Sequence, residues 1–406
     1  MAEEYDVIVL GGGPGGSSTA AFLAKAGKKV ILLDRAKFPR DKTCGDGISG
    51  RSVGVLRELG VLDDFGKAEH QDMFGVAFSS PNGTFVPISS KKEGSSEPPG
   101  FVCRREVFDN VLFQFAKKKV ARTIEGFFAS DLIMDGERVV GVKGKFEGKE
   151  MEFRAPVLVG ADGAGGITAR KLGAYNDDES HQCAAIRCYY DNVDGMIDQI
   201  ELHFIDGVLP GYFWIFPLPN KRANVGIGML VKDMKKKKVN LNKLMSDAIE
   251  KHPAFKERFK NAKRSSDVKS WILPLASKRM KIYGNGYVLV GDAASLIDPF
   301  SGEGIGNALT SGKLASQTIL KAFDKKDFSA SALAEYQTNL WENIGNEIET
   351  NYKMQKMANN KFLLNLMIGK ANRSEEVRHA ISDALIDPHN HKKLIDPFFI
   401  IRAMLA

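Results

Sequence analysis

The chain has 406 residues, of which 43% are hydrophobic and 26% are charged. This composition is that of an ordinary folded protein with core enough for two or three domains. No apolar run approaches the ~18 residues that a membrane-spanning helix needs, so we expect no such helix.

The formal net charge is +7, and much of the excess lies in short runs such as Lys235 to Lys238. A basic surface suits nucleic acid, an anionic membrane or a phosphorylated substrate. No nucleic-acid-binding motif accompanies the runs, so we interpret them as solvated loops and expect no nucleic-acid partner. The acidic segment Met1 to Asp6 is unlike a signal or transit peptide, which predicts a cytoplasmic protein.

Four cysteines occur without CxxC spacing and without histidines at ligand spacing, namely Cys44, Cys103, Cys183 and Cys188. This pattern predicts reduced thiols and no metal site. Of the four, the last three are interpreted as buried structural thiols. His203, on a predicted strand, is interpreted as a satisfied core or surface residue rather than a catalyst.

The first predicted elements form a β-α-β unit. Tyr5 to Leu10 is predicted as a buried strand, Ser17 to Ala26 as a helix of small residues, and Lys29 to Asp34 as a second buried strand. The glycine-rich turn Gly11 to Gly16 lies between the first strand and the helix. This is the arrangement that dinucleotide-binding domains require.

The turn itself has the spacing G-x-G-x-x-G. Gly11 permits the tight turn, Gly13 admits the pyrophosphate, and Gly16 lets helix and strand pack closely. The amides of the helix N-terminus, with Pro14 and Gly15, attract phosphate. Asp34 ends the second strand 18 residues after the last glycine, where a carboxylate can accept hydrogen bonds from ribose hydroxyls. Asp34 and the following Arg35 do not distinguish FAD from NAD.

The middle of the chain predicts an antiparallel sheet. Phe74 to Pro87 alternates in polarity around the turn signal Pro81-Asn82-Gly83. Three further alternating segments are Gln199 to Phe204, Tyr212 to Phe216 and Asn224 to Leu230. After about Asp327 the pattern is helical.

Two more apolar strands belong with the first unit. Ala155 to Gly160 precedes Ala161-Asp162-Gly163, and Gly286 to Val290 precedes Gly291-Asp292. We therefore predict an α/β fold with a discontinuous Rossmann-like FAD-binding domain, an inserted, mostly antiparallel β-sheet substrate domain and a helical C-terminal region. The predicted limits are 1–75, 103–180 and 276–326 for the FAD-binding domain, 76–102 and 181–275 for the substrate domain, and 327–406 for the helical region.

The choice of FAD depends on the later motifs. Asp292 follows a strand and can bind ribityl hydroxyls, although it is also a good helix N-cap. Pro299 to Ile305 precedes a helix of small residues, Gly306 to Ala315. The turn Gly302-Glu303-Gly304 opens that helix, whose amides can face the flavin pyrimidine edge and stabilise negative charge on the reduced ring.

These motifs together resemble the flavoprotein group that includes aromatic hydroxylases of the p-hydroxybenzoate hydroxylase type, flavin halogenases and geranylgeranyl reductases. The resemblance covers about Tyr5 to Gln317. It rests on four segments in order: Gly11 to Gly16, Arg105 to Asp109, Ala161-Asp162-Gly163, and Gly291-Asp292 with Pro299 to Ile305. It implies that Arg105 lies near the FAD pyrophosphate and that Asp162-Gly163 supports the cofactor and the donor site.

Two local segments resemble the geranylgeranyl reductases in particular. Lys42 to Gly47 resembles their Cys-Gly segment, which implies that Cys44, Gly45 and Asp46 lie beside the isoalloxazine. Gly211 to Pro217 resembles their aromatic strand. Period-two alternation places Tyr212, Trp214 and Phe216 on one face, which suits a long apolar substrate but also an ordinary sheet core. Cys44 is the candidate catalytic residue; the alternative is a small residue that lets the loop approach the ring.

The expected activity is reduction of C=C bonds in a polyprenyl chain on a lipid, a diphosphate or a quinone. The alternative is an FAD-dependent monooxygenase or halogenase with an aromatic or polyketide substrate, because fold does not separate the two. With one dinucleotide motif, NADPH, NADH or ferredoxin would bind only transiently. The apolar segment Leu394 to Leu405 has basic flanks and suggests peripheral contact with the inner face of the membrane, with core packing as the alternative.

Overall fold

The computed structural model describes residues 3–91 and 97–386. The segment Leu394 to Leu405, predicted to contact a membrane or the core, lies outside the described residues. None of the helices within the described ranges is both long and apolar enough to cross a bilayer.

In chain order, the strands are β1 (Glu3–Glu4), β2 (Val7–Leu10), β3 (Val30–Asp34), β4 (Gly47–Ile48), β5 (Gln71–Met73), β6 (Gly75–Ser79), β7 (Phe85–Ser89), β8 (Gly100–Val102), β9 (Arg122–Glu125), β10 (Phe128–Asp135), β11 (Arg138–Phe146), β12 (Lys149–Arg154), β13 (Val157–Gly160), β14 (Gln182–Asp191), β15 (Ile200–His203), β16 (Tyr212–Leu218), β17 (Arg222–Leu230), β18 (Lys263–Arg264), β19 (Lys269–Pro274), β20 (Tyr283–Gly284) and β21 (Tyr287–Leu289).

In the same order, the helices are α1 (Pro14–Lys25), α2 (Gly50–Leu59), α3 (Leu62–Phe65), α4 (Arg105–Lys117), α5 (Ile167–Lys171), α6 (Val231–Lys236), α7 (Leu241–Lys251), α8 (Pro253–Lys256), α9 (Ile305–Lys325), α10 (Ala330–Met357), α11 (Lys361–Arg373) and α12 (Glu375–Ile386). Short 3₁₀ turns occupy Glu179–His181 and Gly291–Ala294.

A six-stranded sheet in the order β20-β21-β13-β2-β3-β9 forms the centre of the nucleotide-binding part. Apart from β20, its neighbouring strands are parallel. Every residue of β2, β3 and β13 is buried, as expected for parallel strands covered on both faces. The predicted β-α-β unit is confirmed, with the helix beginning at Pro14 rather than Ser17.

Helix α9 packs against α1, and both helices use small residues where they meet. A Cβ atom on Gly312 would lie 2.5 Å from Ser18 Oγ and 2.7 Å from the carbonyl oxygen of Gly15. A larger side chain at Gly312 would therefore push the two helices apart. The two segments are almost 300 residues apart in sequence, so this contact joins the late motif to the first β-α-β unit.

The predicted second sheet is also present. Its order is β18-β14-β17-β16-β15-β6-β7, and β19 pairs with β14 outside this path. The strands are antiparallel except for the β15–β6 pair. The hairpin β6–β7 turns at Pro81-Asn82-Gly83, as predicted, with hydrogen bonds from Gly83 N to Ser80 O and from Ser80 N to Thr84 O.

Two smaller sheets were not predicted. One has the order β1-β12-β11-β10 and the other the order β4-β8-β5. The predicted helical region after Asp327 is present as α10, α11 and α12. The exact domain limits stay a prediction, because each of the two large sheets takes its strands from several separate segments of the chain.

His203 lies in a buried polar cluster of the second sheet, in agreement with its predicted structural role. Its Nδ1 lies 2.8 Å from Ser79 Oγ and its Nε2 3.1 Å from Glu201 Oε2. Glu201 is 1% exposed and also accepts two hydrogen bonds from Arg258, at 2.6 and 2.8 Å. Arg258 therefore neutralises a carboxylate that has almost no access to water.

We predict that Arg258→Met lowers the free energy of unfolding by about 3–5 kcal/mol, since it leaves a buried carboxylate without its cation. Chemical denaturation followed by circular dichroism measures this loss. Lys243→Met, which breaks an exposed pair with Asp247, is the matched control and should change stability little. Equal stability of the two variants would contradict the role given to Arg258.

Candidate active site

A cavity of about 1300 Å³ lies between the parallel sheet and the second sheet. Its first wall is made by the carboxyl ends of three neighbouring strands, represented by Gly11 after β2, Asp34 at the end of β3 and Ala161 after β13. Gly291 follows β21 at the same edge. Open α/β sheets bind ligands at this edge, and here the chain brings together the motifs predicted from sequence.

The glycine turn allows two loops to approach each other closely. Gly11 has φ +111°, and a Cβ atom there would lie 2.2 Å from the carbonyl oxygen of Ala161. Gly16 does not line the cavity; its missing side chain makes room for the carbonyl oxygen of Gly11, 1.8 Å from the ideal Cβ position. The predicted packing role of Gly16 is therefore supported, whereas direct contact with a cofactor is not.

Gly13 opens directly into the cavity. A Cβ atom at Gly13 would have only Arg40 Nη2 nearby, at 3.6 Å, and Pro14 and Gly15 line the same wall at the start of α1. The space in front of the helix N-terminus is therefore free for a phosphate, which the amides and the helix dipole would stabilise.

Two arginines add positive charge close to this turn. Arg105 is 6% exposed and donates two hydrogen bonds to Asp109, at 2.6 and 2.7 Å. Arg40 contacts the same carboxylate at 2.9 Å. Two guanidinium groups share one carboxylate, so these three side chains together carry a net positive charge. Both arginines, with Arg35, line the cavity, and the placement of Arg105 near the FAD pyrophosphate stays a prediction.

Asp34 holds the first turn in place. Its Oδ2 accepts a hydrogen bond from Gly12 N at 2.6 Å, and its Oδ1 accepts one from Ala36 N at 2.7 Å. A carboxylate oxygen accepts more than one hydrogen bond, so these contacts leave capacity for a ribose hydroxyl. Asp34 lines the cavity at the position expected for that role.

Asp162 and Asp292 are at the cavity wall, but they are held differently. Asp162 accepts hydrogen bonds from the N and Oγ1 of Thr168, and burial raises the pKa of its carboxyl. Gly163, with φ +76°, continues the same loop. Asp292 Oδ2 lies 3.7 Å from Lys42 Nζ. Both aspartates line the space expected for the cofactor.

The turn before α9 is built by its own side chains. Asp298 Oδ1 accepts hydrogen bonds from Phe300 N and Ser301 N, at 2.9 and 2.8 Å. Glu303 accepts one from Gly306 N, and burial raises the pKa of its carboxyl. Gly302, Glu303, Gly304 and Ile305 line the cavity. Pro299 does not, although it was predicted to touch the cofactor; its carbonyl oxygen accepts a hydrogen bond from Gln355.

Cys44 and Gly45 line the cavity, whereas Asp46 does not. The Asp46 side chain is fully buried behind the loop, where it accepts hydrogen bonds from Tyr189 Oη at 2.8 Å and Asn224 Nδ2 at 2.7 Å. This placement makes Asp46 a residue that positions the Cys44 loop against the second sheet. The prediction that it contacts the cofactor is thus not supported by its position.

The environment of Cys44 opposes ionisation. Burial raises the pKa of the Cys44 thiol, and the nearby Arg105 guanidinium offsets this only partly. The thiol is therefore protonated at neutral pH. Among the other cysteines, Cys103 and Cys188 are buried as predicted, and Cys183 is only partly buried.

The three predicted aromatic residues of β16 line the opposite wall. Trp214 Nε1 donates to Asn224 Oδ1 at 2.9 Å, and Tyr212 Oη donates to the carbonyl oxygen of Ser301 at 2.5 Å. Phe216 lies against the Cys44 loop, where a Cβ on Gly45 would be 2.8 Å from its ring. The aromatic face is thus joined to both loops that border the expected flavin position.

Sequence reasoning missed part of the wall. Helix α10 contributes side chains at helical spacing, and α2 contributes Arg51, which pairs with Glu347 and Asn307. Lys42, Trp271 and Phe128 also line the cavity. The residues of α10 at the wall are Asn343, Asn346, Glu347, Thr350, Asn351 and Met354. A polar stripe on a long helix was the available signal, but it resembled an ordinary solvated face.

We predict that Gly13→Ala leaves the fold intact but lowers the affinity for FAD by about 10-fold, since an added methyl group in a filled site costs about 1–3 kcal/mol. Reconstitution of stripped protein with FAD, followed by flavin fluorescence, measures this change. Gly54→Ala, on an open surface of α2, is the control. Unchanged FAD affinity in Gly13→Ala would place the phosphates elsewhere.

The pKa of Cys44 predicts slow alkylation. Because the thiol pKa lies above its ordinary value, we expect iodoacetamide to modify Cys44 more slowly than a free thiol at about pH 8, with a rate that continues to rise above about pH 9. Mass spectrometry of the peptide containing Cys44 measures the rate, and Cys44→Ser identifies the signal. Rapid modification at neutral pH would show that the thiolate is stabilised.

Comparison with known proteins agrees with this geometry. Residues 4–336 match the family model described as FAD binding domain. The digeranylgeranylglycerophospholipid reductase of Methanocella arvoryzae is 32% identical over 364 residues, covering 88% of each chain. The menaquinone reductase of Mycobacterium tuberculosis is 34% identical over 325 residues, covering 78% of this chain and 77% of that one.

Solved structures show the same fold. A geranylgeranyl bacteriochlorophyll reductase-like protein from Thermoplasma acidophilum aligns with a TM-score of 0.85 and 27% identity, over 98% of this chain and 100% of that one. The flavin-dependent brominase Bmp2 aligns with a TM-score of 0.81 at 23% identity, over 98% and 99%, which shows a shared fold alone. The glycine turn, the arginines and the strand-end carboxylates fit FAD, and the chain belongs to the geranylgeranyl reductase family of FAD-dependent oxidoreductases.

Proposed function

We propose that the protein saturates C=C bonds in a polyprenyl chain carried by a lipid, a diphosphate or a quinone. The observation that carries this proposal is a continuous cavity, which has the FAD-binding motifs on one wall and an aromatic and aliphatic face on the other. A long apolar chain placed between the two walls would lie against the position expected for the flavin.

Two relatives support this substrate class through their names. One is named for a digeranylgeranyl glycerophospholipid and the other for menaquinone. The names differ in the polar group of the substrate, so they favour reduction of a prenyl chain without deciding which molecule carries it.

Bound FAD, once reduced, supplies the hydride for this reaction. The aromatic side chains of β16 would exclude water and hold the alkene in a reactive orientation. An isolated alkene has no carbonyl group to accept negative charge, so positive character would develop on the more substituted carbon while a proton is delivered to the other. Cys44 is our proposed proton source, because its thiol keeps its proton at neutral pH and lines the cavity.

The electron donor is proposed to bind transiently. The chain has one dinucleotide motif, at Gly11 to Gly16, so NADPH, NADH or ferredoxin would have no separate Rossmann domain of its own. We also propose that the protein acts next to a membrane, because a polyprenyl lipid or quinone resides there.

The second candidate is an FAD-dependent monooxygenase or halogenase acting on an aromatic or polyketide substrate. Its support is the fold shared with flavin-dependent brominases and halogenases. It would consume oxygen during NADPH oxidation and form a hydroxylated or halogenated product. Reduction needs no oxygen, so the two activities separate cleanly.

We expect anaerobic incubation with dithionite and geranylgeranyl diphosphate, a geranylgeranyl diether lipid or menaquinone to add two mass units per saturated bond. Mass spectrometry of the extracted substrates measures this after air has re-oxidised any menaquinol, because reduction of the quinone ring by dithionite also adds two mass units. Gly13→Ala is the control, since weaker FAD binding should reduce product formation at limiting FAD. Absence of product with all three substrates, together with oxygen-dependent hydroxylation, would replace reduction by the second candidate.

A further inference from the structure

The cavity wall that the second sheet forms changes from polar to apolar between one edge of the sheet and the other. On β19, Lys269, Trp271 and Leu273 line the cavity, while the intervening Ser270 and Ile272 face outward and are exposed. Toward the other edge, the lining residues are Leu202 on β15 and Phe78 on β6. This wall is therefore basic at β19 and apolar at β6.

Strand pairing arranges these residues in one continuous row. Lys269 is opposite Arg187, Arg187 opposite Gly226, and Gly226 opposite Trp214; Leu202 and Phe78 complete the row in the same register. Directly paired residues point to the same side of a sheet. The row crosses five interstrand spacings, which amounts to about 24 Å at about 4.8 Å each.

The basic end contains hydrogen-bond donors without acceptors. Lys42 Nζ lies 4.4 Å from the centre of the Trp271 ring and 3.7 Å from Asp292 Oδ2. Within the ranges described by the structure, it has no acceptor at hydrogen-bonding distance. Trp271 Nε1 also lacks a partner there, and the atom is buried. Both side chains line the cavity, so a bound anionic ligand would supply an acceptor for them.

Cations and carboxylates surround this end of the cavity. Asp41 pairs with Arg187 at 2.6 Å and with Lys269 at 2.7 Å. Asp292 is the carboxylate nearest to Lys42. Asp46 also faces Arg187, so the three cations face three carboxylates. Arg187 is fully buried and its Nε and Nη1 have no partner among the described residues, so part of the positive charge is fixed behind the cavity wall.

We propose that Lys42 and Trp271 form a binding subsite for the phosphate group of the substrate, with Lys269 at its rim. The ammonium and the indole N–H each donate to a phosphate oxygen, and the prenyl chain extends over Trp214 toward Leu202 and Phe78. This subsite rests on the proposed function, which supplies the prenyl part of the substrate. It specifies an anionic amphiphile rather than a neutral prenyl quinone.

Isothermal titration of FAD-loaded protein with two probes tests this subsite without turnover. Geranylgeranyl diphosphate carries the anionic group, and geranylgeraniol has the same chain without it. We expect Lys42→Met to weaken diphosphate binding by about 10-fold or more, since a charge-assisted hydrogen bond is lost. Geranylgeraniol binding should change less than about 2-fold. Inorganic pyrophosphate should compete with the first probe and not with the second.

Three further variants separate charge from packing. Trp271→Phe keeps an aromatic ring but removes the indole N–H, and it should weaken binding of the diphosphate only. Lys42→Arg keeps the charge and should retain most of the affinity. Lys118→Met, at an exposed site at the end of α4, is the control for loss of a positive charge. Flavin absorbance confirms that each variant retains FAD.

Equal affinity of the wild type for the two probes, or an unchanged diphosphate affinity in both Lys42→Met and Trp271→Phe, would overturn the subsite and leave the proposed function standing. Loss of NADPH binding alone in Lys42→Met would also overturn it, by assigning the phosphate position to the electron donor. Failure of both probes to bind the wild type would instead count against the proposed function itself, and the subsite would fall with it.

Discussion

The site depends on one constraint, which is that β2, β3 and β13 are parallel neighbours and so end at the same edge of the sheet. The close approach of Gly11 to Ala161 at this edge leaves no room for a Cβ atom. Each strand end delivers a loop, and the loops face one cavity. The positions of Gly11, Asp34 and Asp162 follow from this edge, because short loops cannot carry their residues far from the strands that they extend.

The second sheet completes the site through contacts with these loops. Asp46 is bonded to Tyr189 on β14 and to Asn224 on β17, and it thereby fixes the loop that carries Cys44. Tyr212 contacts Ser301 in the turn before α9. The Asp46 contacts pair buried polar groups, and together with the Tyr212 contact they fix the distance between the two walls. The aromatic face is therefore held opposite the nucleotide-binding edge rather than forming an independent core.

Features that depend on neighbours in the sequence were predicted better than features that depend on contacts between distant segments. The glycine turn, the strands around it and Asp34 could be predicted, because the pattern that identifies them lies within a window of about 30 residues. Asp46 and Pro299 remain predictions as cofactor contacts, but neither lines the cavity, because neighbours in sequence that line a loop do not all face the same side. The polar stripe of α10 was not recognised, since a helix that covers a cavity has the same surface pattern as one that faces water.

Backbone periodicity and short spacings were enough to predict the β-α-β unit, the antiparallel strands and the alternation that puts Tyr212, Trp214 and Phe216 on one face. The likeness to flavoproteins came from the motifs. The folded chain was needed to place this face opposite the FAD-binding edge, Asp46 behind the Cys44 loop and Lys42 over the ring of Trp271. Those contacts join residues more than 100 positions apart, and their geometry is set by how the two sheets pack rather than by any local preference.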